Sequence, residues 1–199
     1  IQLQGGWGAN RIVGSLNLVF DNFSTQNILN GKSWSPLPSG DGQRLSLSAS
    51  SNGAYYQNYN VSFTEPWLGG KKPNSLTVSV YKSVSSNGQE EDNREAIEIL
   101  GLTVGIGKRL KNPDDYFTIY NGINFQQYKL INSQSFFTFK DGFSNNVNYN
   151  IRLGRNSVDQ LIFPRRGSNF SLGLKITPPY SMFDGVDDYS TVSDQEKYK

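Results

Sequence analysis

Polar and apolar residues alternate one for one along most of this chain, in nine separate segments. They are Ile1–Trp7, Ile12–Phe20, Gln43–Ser50, Tyr55–Thr64, Ser75–Lys82, Ala96–Gly107, Tyr116–Tyr128, Val147–Arg155 and a run ending at Ile176. A period of two places a strand between two different environments. In the sixth segment Leu100, Leu102, Val104 and Ile106 oppose Gly101, Thr103, Gly105 and Gly107. In the ninth Phe170, Leu172, Leu174 and Ile176 oppose Ser171, Gly173 and Lys175. No helical pattern between the segments is long enough for a strand–helix–strand unit, so the segments follow one another as hairpins. The expectation is an all-β, antiparallel protein of one domain.

Alternation alone also fits a water-soluble sandwich, and three features favour a membrane barrel. First, the polar faces hold Asn, Ser, Thr, Gln and Gly, and only 18% of the chain is charged. A soluble surface usually needs about 25%, whereas a wet, enclosed lumen does not. Second, aromatic residues mark both ends of strands. Tyr55 and Trp67 are twelve residues apart, as are Tyr116 and Tyr128. Twelve residues at ~3.3 Å make roughly 40 Å of strand, or about 28 Å of height at a ~45° tilt. That height matches an apolar band of about 25 Å between two aromatic girdles, and these four residues are the expected girdle. Third, the connections fall into two classes. Those after even-numbered segments (22–42, 66–74, 108–115, 157–168) hold most of the Pro and much of the Gly, and they share one side. The connection Asn22–Gly42 is long for a turn, and Phe23–Leu29 is expected to form a short helix in it.

Composition removes several functions. The chain has neither Cys nor His. Disulfides, thiolate metal sites, Cys nucleophiles and Ser-His-Asp triads are therefore absent from it. A net charge of +2 gives no reason to propose nucleic acid. Paired carboxylates in a substrate cleft are not evident, so no enzymatic activity and no cofactor are expected. The acidic groups Glu90-Glu91-Asp92 and Asp184, Asp187, Asp188 lack the spacing of a calcium loop and read as solvated loop charge.

Two blocks carry a family resemblance. One contains Glu65-Pro66-Trp67 followed by Gly69 and Gly70. The other contains Asp159, then Phe163-Pro164-Arg165-Arg166-Gly167-Ser168. Together they resemble the barrel of BamA-type outer-membrane protein assembly factors. There the fourth strand ends in a Glu/Asn-Pro-aromatic turn, and the eighth-to-ninth connection holds an Asp before an aromatic-Pro-x-x-Gly-Ser/Thr sequence. The resemblance covers essentially the whole chain in order.

It implies a sixteen-stranded outer-membrane barrel, of which residues 1–199 supply strands one to nine and, at Asp194–Lys199, the approach to a tenth. POTRA repeats and the later Val-Arg-Gly-aromatic loop of the family would lie outside the sequence. It also implies an insertase for client outer-membrane proteins, working with accessory lipoproteins in a lipopolysaccharide-containing bilayer. A two-partner-secretion exporter of the same superfamily and a porin-like channel are the alternatives. The implied working edge is the first strand: Ile1, Gln2, Leu3, Gln4, Gly5, Gly6, Trp7 and Gly8. In the family this strand pairs weakly with the last one and offers its edge to a client strand. Gly5, Gly6 and Gly8 weaken strand cohesion; the competing reading is that they fit a crowded wall near Trp7.

The remaining ionisable residues at strand ends read as structural. Asp159 is expected to cap backbone N–H groups, and Arg155 to lie near an acidic partner. Glu65 and Arg152 belong to the same class. Pro66, Gly69, Gly70, Pro164 and Gly167 fix turn geometry. The basic pairs Lys71-Lys72 and Arg165-Arg166 read as solvated turn charge.

Overall fold

In a computed structural model of the chain, residues 2–8, 11–34, 36–70, 74–89, 93–133, 141–160 and 162–179 are described. They form nine antiparallel strands in one sheet, ordered as they occur in the sequence. The strands are β1 (Gln2–Gly8), β2 (Arg11–Phe23), β3 (Gln43–Asn52), β4 (Tyr56–Glu65), β5 (Asn74–Ser86), β6 (Ala96–Arg109), β7 (Phe117–Ile131), β8 (Gly142–Asn156) and β9 (Asn169–Ile176). All nine coincide with alternating segments. Most run further than the alternation does: β5 and β8 each gain several residues at the end away from the Pro-rich turns.

The register turns alternation into two continuous surfaces. Leu18, Leu47, Val61, Val80, Leu102, Phe125 and Val147 lie side by side across seven strands. The next apolar row runs Phe20, Leu45, Phe63, Val78, Val104, Ile123, Tyr149 and Ile176. Between them, on the opposite face, lies Val19, Ser46, Ser62, Ser79, Thr103, Asn124 and Asn148. The apolar face has no second layer over it among the described residues. Val61, Val80, Leu102, Val104 and Ile123 are all exposed, and among the described residues only Val84, Ala96 and Leu130 are buried hydrophobic residues. An uncovered apolar face of this extent is rare in water and is required where the solvent is lipid. No helix among the described residues is long and apolar enough to cross a membrane; the crossing elements are strands of ten to fifteen residues in β3 to β8.

The polar face is held by amides and hydroxyls. Thr103 Oγ1 donates to Asn124 Oδ1 at 2.6 Å. The Nδ2 groups of Asn124 and Asn150 both donate to Asn148 Oδ1 at 3.0 Å. Gln126 Nε2 donates to the Tyr81 hydroxyl at 2.5 Å. Tyrosine rings on this face occupy the space beside glycines. A Cβ at Gly101 would collide with the Tyr81 ring, and one at Gly105 or Gly122 with Tyr120. These glycines are there because a neighbour's ring occupies the space.

Two expectations are corrected. Phe23–Leu29 is not helical. β2 continues to Phe23, turns follow, and a single 3-10 turn spans Gly31–Ser33. Side chains compete with helical bonds here: Asn27 N–H donates to Ser24 Oγ at 3.0 Å, and Lys32 N–H to Asn30 Oδ1 at 3.3 Å. Tyr128 is not part of a lipid-facing girdle. It shares a face with Gln126, and its hydroxyl donates to Gln126 Oε1 at 3.3 Å, so it lines the polar wall.

Replacing Gly105 with Ala is expected to destabilise the barrel by about 1–3 kcal/mol, because Tyr120 must leave its place over β6. The reassembled protein should lose its folded, heat-modifiable band in unheated gels at a lower temperature. An additional Tyr120→Ala exchange should restore it.

Candidate functional site

β1 is the shortest strand, with 7 residues beside a β2 of 13. It pairs with β2 from Gln2↔Asn17 to Gly8↔Arg11, and its other edge has no strand partner among the described residues. Ile1 lies outside the described residues. Gly5 stands opposite Gly14, and Gly6 opposite Val13. A Cβ at Gly6 or Gly14 would meet nothing within 4 Å, and one at Gly5 would meet only the Val13 carbonyl at 3.9 Å. None of the three needs a positive φ. Among the described residues, then, nothing crowds these three positions. They contrast with Gly101 and Gly105, where a ring forbids a side chain. At β1–β2 glycine removes cross-strand contact without any steric demand, which lowers strand cohesion. A shallow depression of about 270 Å³ lies over Gly14, Ala49 and Ser51, between Leu16 and Tyr59.

The two motif turns sit at one end of the sheet, and the structure shows what each residue does. Glu65 Oε1 accepts from the Trp67 N–H at 2.9 Å. Its other oxygen accepts from Gln43 Nε2 at 2.7 Å. Gln43 is 5% exposed and also holds Thr25, through the Thr25 N–H at 2.8 Å and Thr25 Oγ1 at 3.1 Å. One glutamine thus bolts the β2–β3 connection to the β4–β5 turn. Pro66 precedes a tight turn in which the Gly70 N–H reaches the Trp67 carbonyl at 2.7 Å. Gly69 and Gly70 have φ of 83° and 71°, which only glycine adopts without strain. Lys71 and Lys72 lie outside the described residues.

In the second turn Asp159 Oδ1 accepts from the N–H groups of Arg165 and Arg166 at 3.0 and 3.2 Å. These bonds, that of Arg166 first, hold its carboxyl below the usual carboxylate value. Phe163 takes a positive φ of 56° just before Pro164 and projects outward, 86% exposed. Gly167 has φ of 98°, and a Cβ there would strike the backbone of Ser157 and Val158.

Arg155 finds its acidic partner in Asp114, a residue the sequence pattern left unremarked. Nε and Nη2 both donate to Asp114 Oδ2, at 3.0 and 2.8 Å. Nη1 donates to Ser157 Oγ at 2.7 Å and to Ser168 Oγ. The guanidinium also lies 5.7 Å from the ring centres of Tyr116 and Phe117. The β6–β7 and β8–β9 connections are locked together through this one side chain. Asp114 is held below the ordinary carboxylate value, first by the Arg155 hydrogen bonds. Arg152, by contrast, is on the polar wall facing Gly173 and has no acidic partner among the described residues.

Of the expected girdle, Trp67 and Tyr116 are exposed at the motif-turn end. Tyr55 sits in the β4–β5 side of the opposite rim, with its ring against Gly88. The acidic groups at 90–92 and 184–188 lie outside the described residues. Among the described residues no cluster of three or more acidic, His or Cys side chains is placed to hold a metal.

An uncovered apolar band, a polar inner wall and an open meander of nine strands define part of an outer-membrane-type β-barrel. Residues 39–198 match the model of the Omp85 superfamily domain. The chain belongs to the Omp85 superfamily. Among solved structures it is similar to BamA from Haemophilus ducreyi lacking POTRA domains 1–3. The TM-score is 0.57 at 19% identity, over 89% of this chain and 33% of that one. The chain thus spans about a third of that protein's length. No individual curated protein matches it.

The Asp114–Arg155 lock makes a pH prediction. A lowered carboxyl value means that its stabilisation is complete above the ordinary carboxylate value of 3.8 and is lost as pH falls through the lowered one. Asp114→Asn should therefore weaken the fold at neutral pH and flatten the loss of stability in acid. Urea unfolding of the reconstituted barrel, followed by tryptophan emission between neutral pH and the acid limb, measures it. An unchanged acid limb in the variant counts against the lock.

Proposed function

We propose that this chain forms the N-terminal half of the barrel of a BamA-like insertase, and that β1 is the edge on which client strands pair. The observation that carries the reading is the glycine cluster Gly5, Gly6 and Gly14, placed where no neighbour among the described residues requires glycine. Weak cohesion at β1–β2 lets the strand bend away from the wall and expose its N–H and C=O groups. In hydrocarbon each unpaired backbone group costs several kcal/mol, so an incoming strand gains by pairing there before its own barrel closes. The residues Ile1 to Gly8 act as a template and no bond is made or broken. The activity needs neither a metal nor a cofactor. Glu65, Asp159 and their turns serve by holding the rim rigid while the seam moves. Client outer-membrane proteins are the substrates. Accessory lipoproteins of a BAM-type complex, and a lipopolysaccharide-bearing outer membrane in a Gram-negative cell, complete the setting.

The double exchange Gly6→Val and Gly14→Val tests the reading in the full-length protein. It introduces side chains into open space and should strengthen β1–β2 by about 1 kcal/mol, since glycine weakens a strand interior by about 0.5–1 kcal/mol against alanine. The barrel should fold normally and insert clients severalfold more slowly into proteoliposomes. Insertion at the original rate by a correctly folded variant sinks the seam mechanism. Depletion in cells addresses the wider reading: many unrelated outer-membrane proteins should decline together, which neither a secretion transporter nor a porin would cause.

A further inference from the structure

The β2–β3 connection is long, yet it is built like a rigid element. The Ser24 side chain is fully buried, and its hydroxyl donates to Asp41 at 2.5 Å. Asn27 Nδ2 donates to the Ser39 carbonyl at 2.9 Å, and the Ser24 N–H to the Pro38 carbonyl at 2.9 Å. Through Gln43 the connection is fastened to Glu65 in the neighbouring turn. On this scaffold three large apolar side chains are displayed rather than packed. Leu29 is 98% exposed, and Ile28 and Trp34 are each about half exposed. An ordered loop normally turns such groups inward.

We infer that this loop is a membrane-interface anchor, with Ile28, Leu29 and Trp34 seated in the lipid headgroup region beside the seam. Two observations select lipid as the occupant. The root of the loop continues the lipid-facing band: Phe23 meets Phe63 edge-on at 6.3 Å, and Phe63 shares a row with Leu45 and Val78. Phe20 of the same band and Leu37 of the loop line one small concavity. The second observation is that Trp34 satisfies its indole N–H within the loop, donating to the Ile28 carbonyl at 3.2 Å. Its ring can therefore enter an apolar boundary without stranding a donor. Tryptophan with aliphatic neighbours is the composition favoured at that depth, and Lys32 between them suits an anionic headgroup. The internal bonding means that little ordering entropy remains to oppose insertion. Trp67, exposed on the turn to which the loop is bolted, extends the same belt. The anchor fixes the membrane level on the β2–β3 side. The inference rests on the barrel lying in a membrane, and not on the insertase reading.

The test places an environment-sensitive NBD probe at Leu29→Cys in an otherwise cysteine-free full-length protein, reconstituted in phosphatidylcholine–phosphatidylglycerol vesicles. Position 29 is bare, so the exchange should not disturb folding. Acyl chains brominated near the headgroup should remove about half the emission, as expected for a group buried ~5–10 Å into the interface. Aqueous iodide should quench little. An added Ile28→Ser exchange should reduce the bromine effect. Free iodide quenching with no bromine effect overturns the inference. So does a probe shielded from both quenchers, which would put a protein on this loop instead of lipid.

Discussion

Everything in this sheet follows from the need to pair backbone N–H and C=O groups where no water can reach them. A strand in hydrocarbon satisfies itself only through its neighbours on both sides, so the register cannot lapse from β2 to β8. Side chains then have two destinations. Those of one parity make the unbroken apolar rows through Val61, Val80 and Leu102; those of the other make the amide and hydroxyl lattice around Asn124 and Asn148. Among the described residues a register irregularity comes between Phe20 and Phe23, where the long loop begins.

Given that constraint, glycine can do two opposite things in one wall. On β6 and β7 it makes room for a tyrosine ring, and the pair Tyr120–Gly105 fastens neighbouring strands. At Gly6 and Gly14 no described neighbour lies within 4 Å of where a Cβ would stand. The same residue type stiffens one part of the barrel and loosens another, and only the neighbour decides which. The stiff part is also where the rim is cross-braced, by Arg155 across β6–β9 and by Gln43 across β2–β5. A sparsely substituted edge thus stands beside a braced rim.

Strand number, order and the facing of nearly every residue were legible from period two alone, because each strand faces two solvents of opposite character. The capping role of Asp159 and the presence of an acidic partner for Arg155 were legible from turn chemistry. Asp114 was not, since it meets Arg155 across 41 positions and only the β6–β9 register brings them together. Gln43 was hidden for the same reason. Tyr128 was misplaced because spacing along a strand gives depth but not face: a girdle position needs outward parity, and counting from Gln126 or Asn124 supplies it. The helix expected at 23–29 failed on local chemistry, where Ser24, Asn27 and Asn30 offer the backbone nearer partners than the fourth residue back.

The distribution of hydrogen bonds then bears on how motion can be confined to the seam. The β2–β3 loop could have been a slack connection, and a slack connection would let β2 follow β1 outward. Instead Ser24, Asn27 and Gln43 tie its root to Asp41, Ser39 and Glu65. The root of β2 is therefore held within one strand of Gly14.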